Sequence, residues 1–346
     1  MKSLFRQTTK VTLILIYLVI IAGAVVRMTG SGMGCPDWPK CFGYYVPPTD
    51  ISELQFQPNH YYKEGIVIIV DEELQFAAQD FKSSKTLNLN NWEPYTAHDY
   101  AIFNPIQTWI EYINRLIGAL SGIPILIFTI MSIWLWKEKK RFLLLSIVTV
   151  FAMAFQAWLG KTVVDSNLAP YKITIHMVMA IVIVAIILYL VFASKSKFKV
   201  QTFDLKFRNV LIFATLLTLI QIILGTQVRQ FVDVQNKLSG YFNWDITSLA
   251  PLKFYIHRTL SILVLALNAW LFFLNKKLNL GYGKYKFVMI CIGLEIITGI
   301  AMYYFNFPFS TQPLHLVIAT IMIGIQFYII LESSRRSTLK NPISTT

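Results

Sequence analysis

The chain has 346 residues, 55% of them hydrophobic and only 14% charged, where soluble domains carry about a quarter charged residues. Its 31 Lys and Arg against 18 Asp and Glu leave a net charge of +13, but no soluble basic face exists to carry it. This balance excludes nucleic acid as a partner and points to membrane lipid with anionic headgroups.

The charges fall in short blocks separated by long apolar runs. A run of about 18 or more apolar residues crosses a bilayer as a helix at ~1.5 Å per residue. Eight such runs are read in chain order, near 11–26, 106–136, 142–164, 173–193, 210–228, 254–274, 287–305 and 313–331. The second is overlong and must tilt or extend past the hydrocarbon. Nineteen of the 31 basic residues lie at the N-terminus, in the blocks 137–141, 195–208 and 276–286, and in the tail. The positive-inside rule then places both termini in the cytoplasm. No small-residue cleavage pattern ends the first run, which reads as a retained helix, and no Arg/Ser-rich transit segment precedes it. A bacterial inner membrane is expected.

The second half of the chain echoes the first. Gly23-Ala-Val-Val-Arg27 ends the first run and Gly225-Thr-Gln-Val-Arg229 the fifth. Tyr112-Ile-Asn-Arg115 opens the second and Tyr255-Ile-His-Arg258 the sixth, an offset of 143. His176 and His315 are offset by 139, as are Gly160 and Gly299. Four helices per repeat bring the chain back to its starting side, so the repeat is parallel. The fold class expected is an all-α integral membrane protein of eight transmembrane helices, arranged as two parallel-repeat four-helix bundles. The domains are 1–193, with a long outer loop at about 28–105, then 209–331, then a cytoplasmic tail at 332–346. Within the loop, segments such as Gly65–Val70 suit short strands. The second repeat's matching loop runs from about 230 to 253.

Ionisable residues in membrane helices are costly and are functional candidates by default. His176, His257 and His315 fall within about a turn of the outer end of an even-numbered helix, and Asn114 takes the fourth equivalent place. His257 and His315 can face each other across a bundle, which suits a bis-histidine haem. Arg258 and Arg229 suit its propionates, because Arg binds carboxylates through paired hydrogen bonds. A lone intramembrane His more often makes an interhelical hydrogen bond, and a zinc site would want three or four close ligands. No Cys or carboxylate is read beside this pair. In the first repeat, Glu111 lies one turn before Asn114. It either pairs with Arg115 at i, i+4 or handles protons beside a reactive centre. Cys35 and Cys41 fall in the outer loop, on the oxidising side. Cys291 reads as a small buried apolar residue.

The stretch Gly23-Ala-Val-Val-Arg-Met-Thr-Gly-Ser-Gly-Met-Gly-Cys-Pro-Asp-Trp-Pro-Lys-Cys-Phe-Gly43 resembles the signature of the haem A synthase family. Glu111-Tyr-Ile-Asn-Arg115, Gly160-Lys-Thr-Val-Val164, His176, Tyr255-Ile-His-Arg258 and Pro313-Leu-His315 match it in order. The resemblance implies oxidation of the C8 methyl of haem O to a formyl group by successive hydroxylations, with loss of water from the gem-diol. It implies a resident haem b on His257 and His315, with Arg258 and Arg229 beside it. It implies a substrate haem O on His176, with Asn114, Arg115 and Arg27 nearby, and Glu111 as the functional carboxylate. Cys35 and Cys41 match a cysteine pair of the family and imply a disulfide; a second pair carried by some members is missing. Haem O synthase and cytochrome oxidase assembly factors are implied partners, and a homo-oligomer is compatible.

The departure is Asn114, where the family has His, so His176 is expected to ligate the substrate iron alone. His60 and His98 read as solvated loop residues. Two other functions compete. A membrane b-type cytochrome drawing electrons from quinol would also use a bis-His site, without modifying haem. A cofactor-free transporter would hold its polar residues near the midplane rather than at the outer ends.

Overall fold

All eight apolar runs become long helices in the computed structural model, which describes residues 1–96, 103–198, 201–239, 252–305, 308 and 310–334. The helices are α1 (Lys2–Met28), α2 (Pro105–Trp134), α3 (Lys140–Asp165), α4 (Pro170–Ala193), α5 (Leu205–Ser239), α6 (Leu252–Lys277), α7 (Tyr285–Tyr304) and α8 (Thr311–Ser333). All eight are long and apolar enough to cross a membrane. Most extend past their apolar runs, since a helix satisfies its own backbone groups where water cannot. The largest difference is in α5. A loop from about residue 230 is expected from sequence, yet the helix continues to Ser239. No Gly or Pro interrupts 229–239, and Arg229 pairs with Asp233 one turn on, at 2.7 Å.

The chain divides into two compact modules. One comprises 15–123 and 153–176. Its long loop is a small β lobe, in which β1 (Tyr61–Tyr62) pairs with β4 (Phe81–Lys82). A three-stranded antiparallel sheet has the order β2 (Val67–Val70), β3 (Glu73–Ala77), β5 (Trp92–Pro94). The expected strand at 65–70 is therefore β2. The β2–β3 turn is Asp71-Glu72, both at positive φ, the backbone a two-residue hairpin requires. Alternation then divides the sheet's residues between two small cores. Val67 and Leu74 pack with Cys35, Cys41, Phe42 and Leu54, while Ile68 and Ala77 pack with Tyr62 and Trp92.

The other module comprises 1–14, 124–152 and 177–346. In it α5 packs on α6 and α8, and α7 packs on α6 and α8. One of its cores gathers Phe207, Leu271, Tyr282, Tyr285, Val288 and Ile329. Fully buried Phe5 of α1 packs its ring on Phe128 of α2 and Phe142 of α3. Large side chains such as Ile123, Phe151, Ile262 and Ile297 stay exposed along mid-helix, the surface expected of a chain whose solvent is lipid. The buried polar residues are mostly Ser and Thr that return a hydrogen bond to their own helix, as Thr149 does to Leu145 and Thr218 to Ala214.

Candidate functional site

One motif occurs four times. Each candidate ligand on an even helix lies against a glycine of the preceding odd helix. A Cβ at Gly225 of α5 would stand 3.1 Å from Cε1 of His257, and at Gly160 of α3 3.4 Å from Cε1 of His176. At Gly299 of α7 it would stand 3.7 Å from Cε1 of His315, and at Gly23 of α1 3.8 Å from Oδ1 of Asn114. Small residues let helices approach closely, and here the room is filled by an imidazole edge or an amide. The three histidines sit in the second turn of their helices. Asn114 sits in the third turn of α2, which begins earlier than its counterparts.

Four residues before each glycine, one turn back along the odd helix, is a second position. It holds Val19, Gln156, Gln221 and Glu295. Gln156 Nε2 donates to the backbone carbonyl of His176 at 3.1 Å, and Gln221 Nε2 to that of His257 at 2.8 Å. Glu295 instead reaches the ring: its Oε2 is 2.9 Å from His315 Nδ1. Thr298 Oγ1 is 2.8 Å from the same nitrogen. The Thr298 hydroxyl donates back to Leu294 and Glu295 carbonyls, so toward the ring it accepts. Two acceptors on Nδ1 place the proton there and leave the Nε2 lone pair free. This corrects the expectation that no carboxylate accompanies the pair. Glu295 lies on a different helix, 20 positions before His315, and only the offset of 139 to Gln156 or its spacing from Gly299 could have signalled it.

In the same module as His315 lies His257. Its Nδ1 is buried without a hydrogen-bond partner, as is Nδ1 of His176. Arg258 lies over the rings of Phe254 and Tyr255, at 5.8 and 5.6 Å from their centroids. Arg229 pairs with Asp233, and Arg27 occupies the last turn of α1. Cys291 is buried and unpaired with another cysteine.

The first repeat's residues form a different arrangement. Glu111 is 3% exposed. Its Oε1 is 2.6 Å from Arg115 Nη2, and its Oε2 accepts from the Cys35 amide at 3.0 Å. Arg115 also donates Nη1 to the carbonyls of Asp37 at 2.7 Å and Lys40 at 3.0 Å, and Nη2 to Cys35 at 3.4 Å. Cys35 and Cys41 are joined as a disulfide with Cα atoms 4.7 Å apart. Asp37, inside this loop, accepts from the amides of Phe42 and Gly43. Burial pushes its carboxyl up, against the pull of those amides and of Arg115. Gly34 rests on the α2 backbone, where a Cβ would come within 2.6 Å of the Gln107 carbonyl. Thr108 Oγ1 donates to the Gly34 carbonyl at 2.7 Å. So the i, i+4 pair read from sequence exists, and the same two side chains also anchor the disulfide loop.

On α4, His176 Nε2 lies 3.3 Å from Gln156 Nε2. The Gln156 amide must present its NH2 group here, because it also donates to the His176 carbonyl. Asn114 Oδ1 is buried without a partner. His60 is exposed in the β lobe, edge-on to Tyr62, and His98 lies outside the described residues. Among the described residues, no three His, Cys, Asp or Glu side chains gather in a group able to hold a metal ion.

The profile of the COX15-CtaA family, described as cytochrome oxidase assembly protein, matches residues 6–327. A heme A synthase of Ehrlichia canis is 24% identical over 91% of this chain and 89% of its own length. One of Listeria monocytogenes is 22% identical over 97% of each. One of Flavobacterium johnsoniae is 23% identical over 91% of this chain and 93% of its own.

Proposed function

The chain belongs to the COX15-CtaA cytochrome oxidase assembly family, and from that premise we propose that it is a haem A synthase, a multi-pass membrane oxidoreductase converting haem O to haem A. The observation that carries this reading is the fourfold cradle, with three half-buried histidines each laid against a glycine on the neighbouring helix. Two of them lie on α6 and α8 of one module.

The residues fit a bis-imidazole haem b on His257 and His315. His315 offers Nε2 because its Nδ1 is held by Glu295 and Thr298, and a buried, unpartnered Nδ1 on His257 marks a ring whose other interactions are still to be supplied. Arg258 and Arg229 are assigned to the propionates, because Arg binds carboxylates through paired hydrogen bonds. When bound, such a haem supplies one-electron redox chemistry. Haem O then belongs in the first repeat, with His176 on its iron and Asn114, Arg115 and Arg27 around it. Taking a methyl to a formyl group is a four-electron oxidation, met by two hydroxylations and loss of water. Glu111 is the carboxylate beside this chemistry, either moving protons or stabilising positive charge on the methyl carbon. Its second oxygen on the Cys35 amide ties that role to the disulfide loop. The two repeats are the halves 1–193 and 209–331, in a bacterial inner membrane with both termini cytoplasmic.

The test is to purify the protein from cells supplied with haem O and extract its pigments. Haem A and a hydroxylated haem beside haem B are expected. Haem B alone, with haem O unchanged, would make the protein a b-type cytochrome instead.

A further inference from the structure

Three of the four odd helices carry an amide or carboxyl side chain one turn before the cradle glycine, and these side chains do not act alike. Gln221 and Gln156 both donate to the main-chain carbonyl of the facing histidine. They brace the helix and do not hold the ring from Nδ1. Glu295 alone of the three takes the facing ring's Nδ1, with Thr298 as a second acceptor on the same atom. A carboxylate on Nδ1–H fixes the ring's orientation and makes the opposite nitrogen a stronger electron donor. A charge-assisted hydrogen bond of this kind is roughly twice as strong as a neutral one.

His176 has the reverse arrangement. Its Nδ1 is buried with no partner, and its Nε2 faces the NH2 of Gln156 at 3.3 Å. Any ligand to Nε2 must displace that amide, and nothing fixes the ring from behind. Gln156 and Glu295 are separated by 139 residues, the offset that also relates Gly160 to Gly299 and His176 to His315. One repeat position therefore carries a carboxylate in one half and its neutral isostere in the other.

We propose that this position decides which haem is resident: Glu295 is the positioning residue that makes His315 a firm ligand, and Gln156 leaves His176 an exchangeable one. The proposal rests on the haem assignment above and adds to it a reason why one site keeps its haem while the other releases product.

The test uses full-length protein purified in detergent, with two readouts on the resident haem. One is haem b per protein after size-exclusion chromatography. The other is the midpoint potential from a spectroelectrochemical titration. Glu295→Gln keeps the shape and removes the charge. It is expected to weaken haem b retention by roughly 10- to 100-fold, the usual cost of losing an outer-shell partner. In the fraction that remains, the potential shifts upward, because a weaker donor stabilises ferric iron less. A purely structural role for Glu295 would not move the potential of correctly ligated haem. Thr298→Val leaves the carboxylate in place and is expected to give a smaller upward shift. If Glu295→Gln yields no folded protein, the Thr298→Val shift decides in its place. Wild-type occupancy together with wild-type potential in Glu295→Gln, or no shift in Thr298→Val when it stands alone, overturns the proposal. A wild-type protein lacking a bis-histidine haem b spectrum overturns instead the haem assignment on which it rests, and the proposal with it.

Discussion

The two histidine regions share a scaffold and differ in what surrounds it. Around His257 and His315 the cradle glycines face two imidazoles, and one of these is held from behind by a carboxylate and a hydroxyl. Around His176 and Asn114 the same glycines face one imidazole and one amide. The strongest polar contacts there run from Glu111 and Arg115 to the backbone of a disulfide loop. A repeat gives both halves the same helix approach at no extra cost in topology. Chemistry then diverges through single side chains set on that approach. In one region an imidazole is fixed through its Nδ1. In the other, a buried ion pair on α2 is joined to a loop from outside the helices.

The largest expected effect tests whether the regions are separate sites. His315→Ala and His257→Ala should each lose more haem b than the roughly 10- to 100-fold that removal of an outer-shell partner costs. His176→Ala should keep haem b and lose conversion of haem O. Reduced-minus-oxidised spectra and extracted pigments read both. Loss of haem b in His176→Ala, with retention in His315→Ala, would reverse the assignment. Next in size is the ion pair. Arg115→Ala leaves the Glu111 carboxylate buried without its partner, which costs about 3–5 kcal/mol, and should lower the thermal midpoint in a detergent unfolding scan. Glu111→Gln removes the charge but keeps an acceptor for the Cys35 amide, so its main effect should fall on haem A formation, with haem b unchanged. A Glu111→Gln protein that makes haem A at the wild-type rate would leave Glu111 only its structural place.

How much of this was legible in sequence follows from what sequence periodicity and spacing record. The eight helices were legible because an apolar run of spanning length has few other fates. The cradle was half legible: the constant offsets paired Gly160 with Gly299 and His176 with His315, but did not say that each glycine touches the ring on the next helix. Glu295 was missed because its importance comes from a contact between α7 and α8, and its counterpart Gln156 looks like an ordinary helical amide. The extent of α5 was missed because polar residues after Arg229 resemble a loop, although nothing among them breaks a helix. The Glu111–Arg115 pair was read from i, i+4 spacing alone; its second task, holding Cys35, Asp37 and Lys40, needed the fold of the loop.

A finer comparison contrasts the two glycines that face His257 and His315. At Gly225 an added Cβ would stand 3.1 Å from the His257 ring, closer than most real Cβ contacts, while at Gly299 the 3.7 Å to His315 is ordinary contact. Gly225→Ala should displace the ring and cost about 1–3 kcal/mol of overpacking, seen as lower haem b retention. Gly299→Ala should retain haem b and can gain up to about 1 kcal/mol from helix propensity. Equal losses from both would mean that the glycines serve helix contact in general and not the imidazole at Gly225.

The smallest expected effect bears on the asymmetry itself. Asn114 presents a buried, unpartnered Oδ1 beside Gly23, and the position one turn before that glycine on α1 is Val19, whose side chain has no hydrogen bond to offer. Asn114→His would therefore place a second imidazole in the first repeat with nothing to fix its tautomer. It should raise the amount of haem O and haem A that copurifies, by less than His257 and His315 achieve for haem b. Tighter holding also slows release, so haem A formed per unit time should fall or stay level while haem bound per protein rises. If Asn114→His raises both, the single-histidine site is a handicap that His176 tolerates. If binding rises and turnover does not, the loss of one histidine belongs to the same design as Gln156: a site whose product must leave is kept short of ligands.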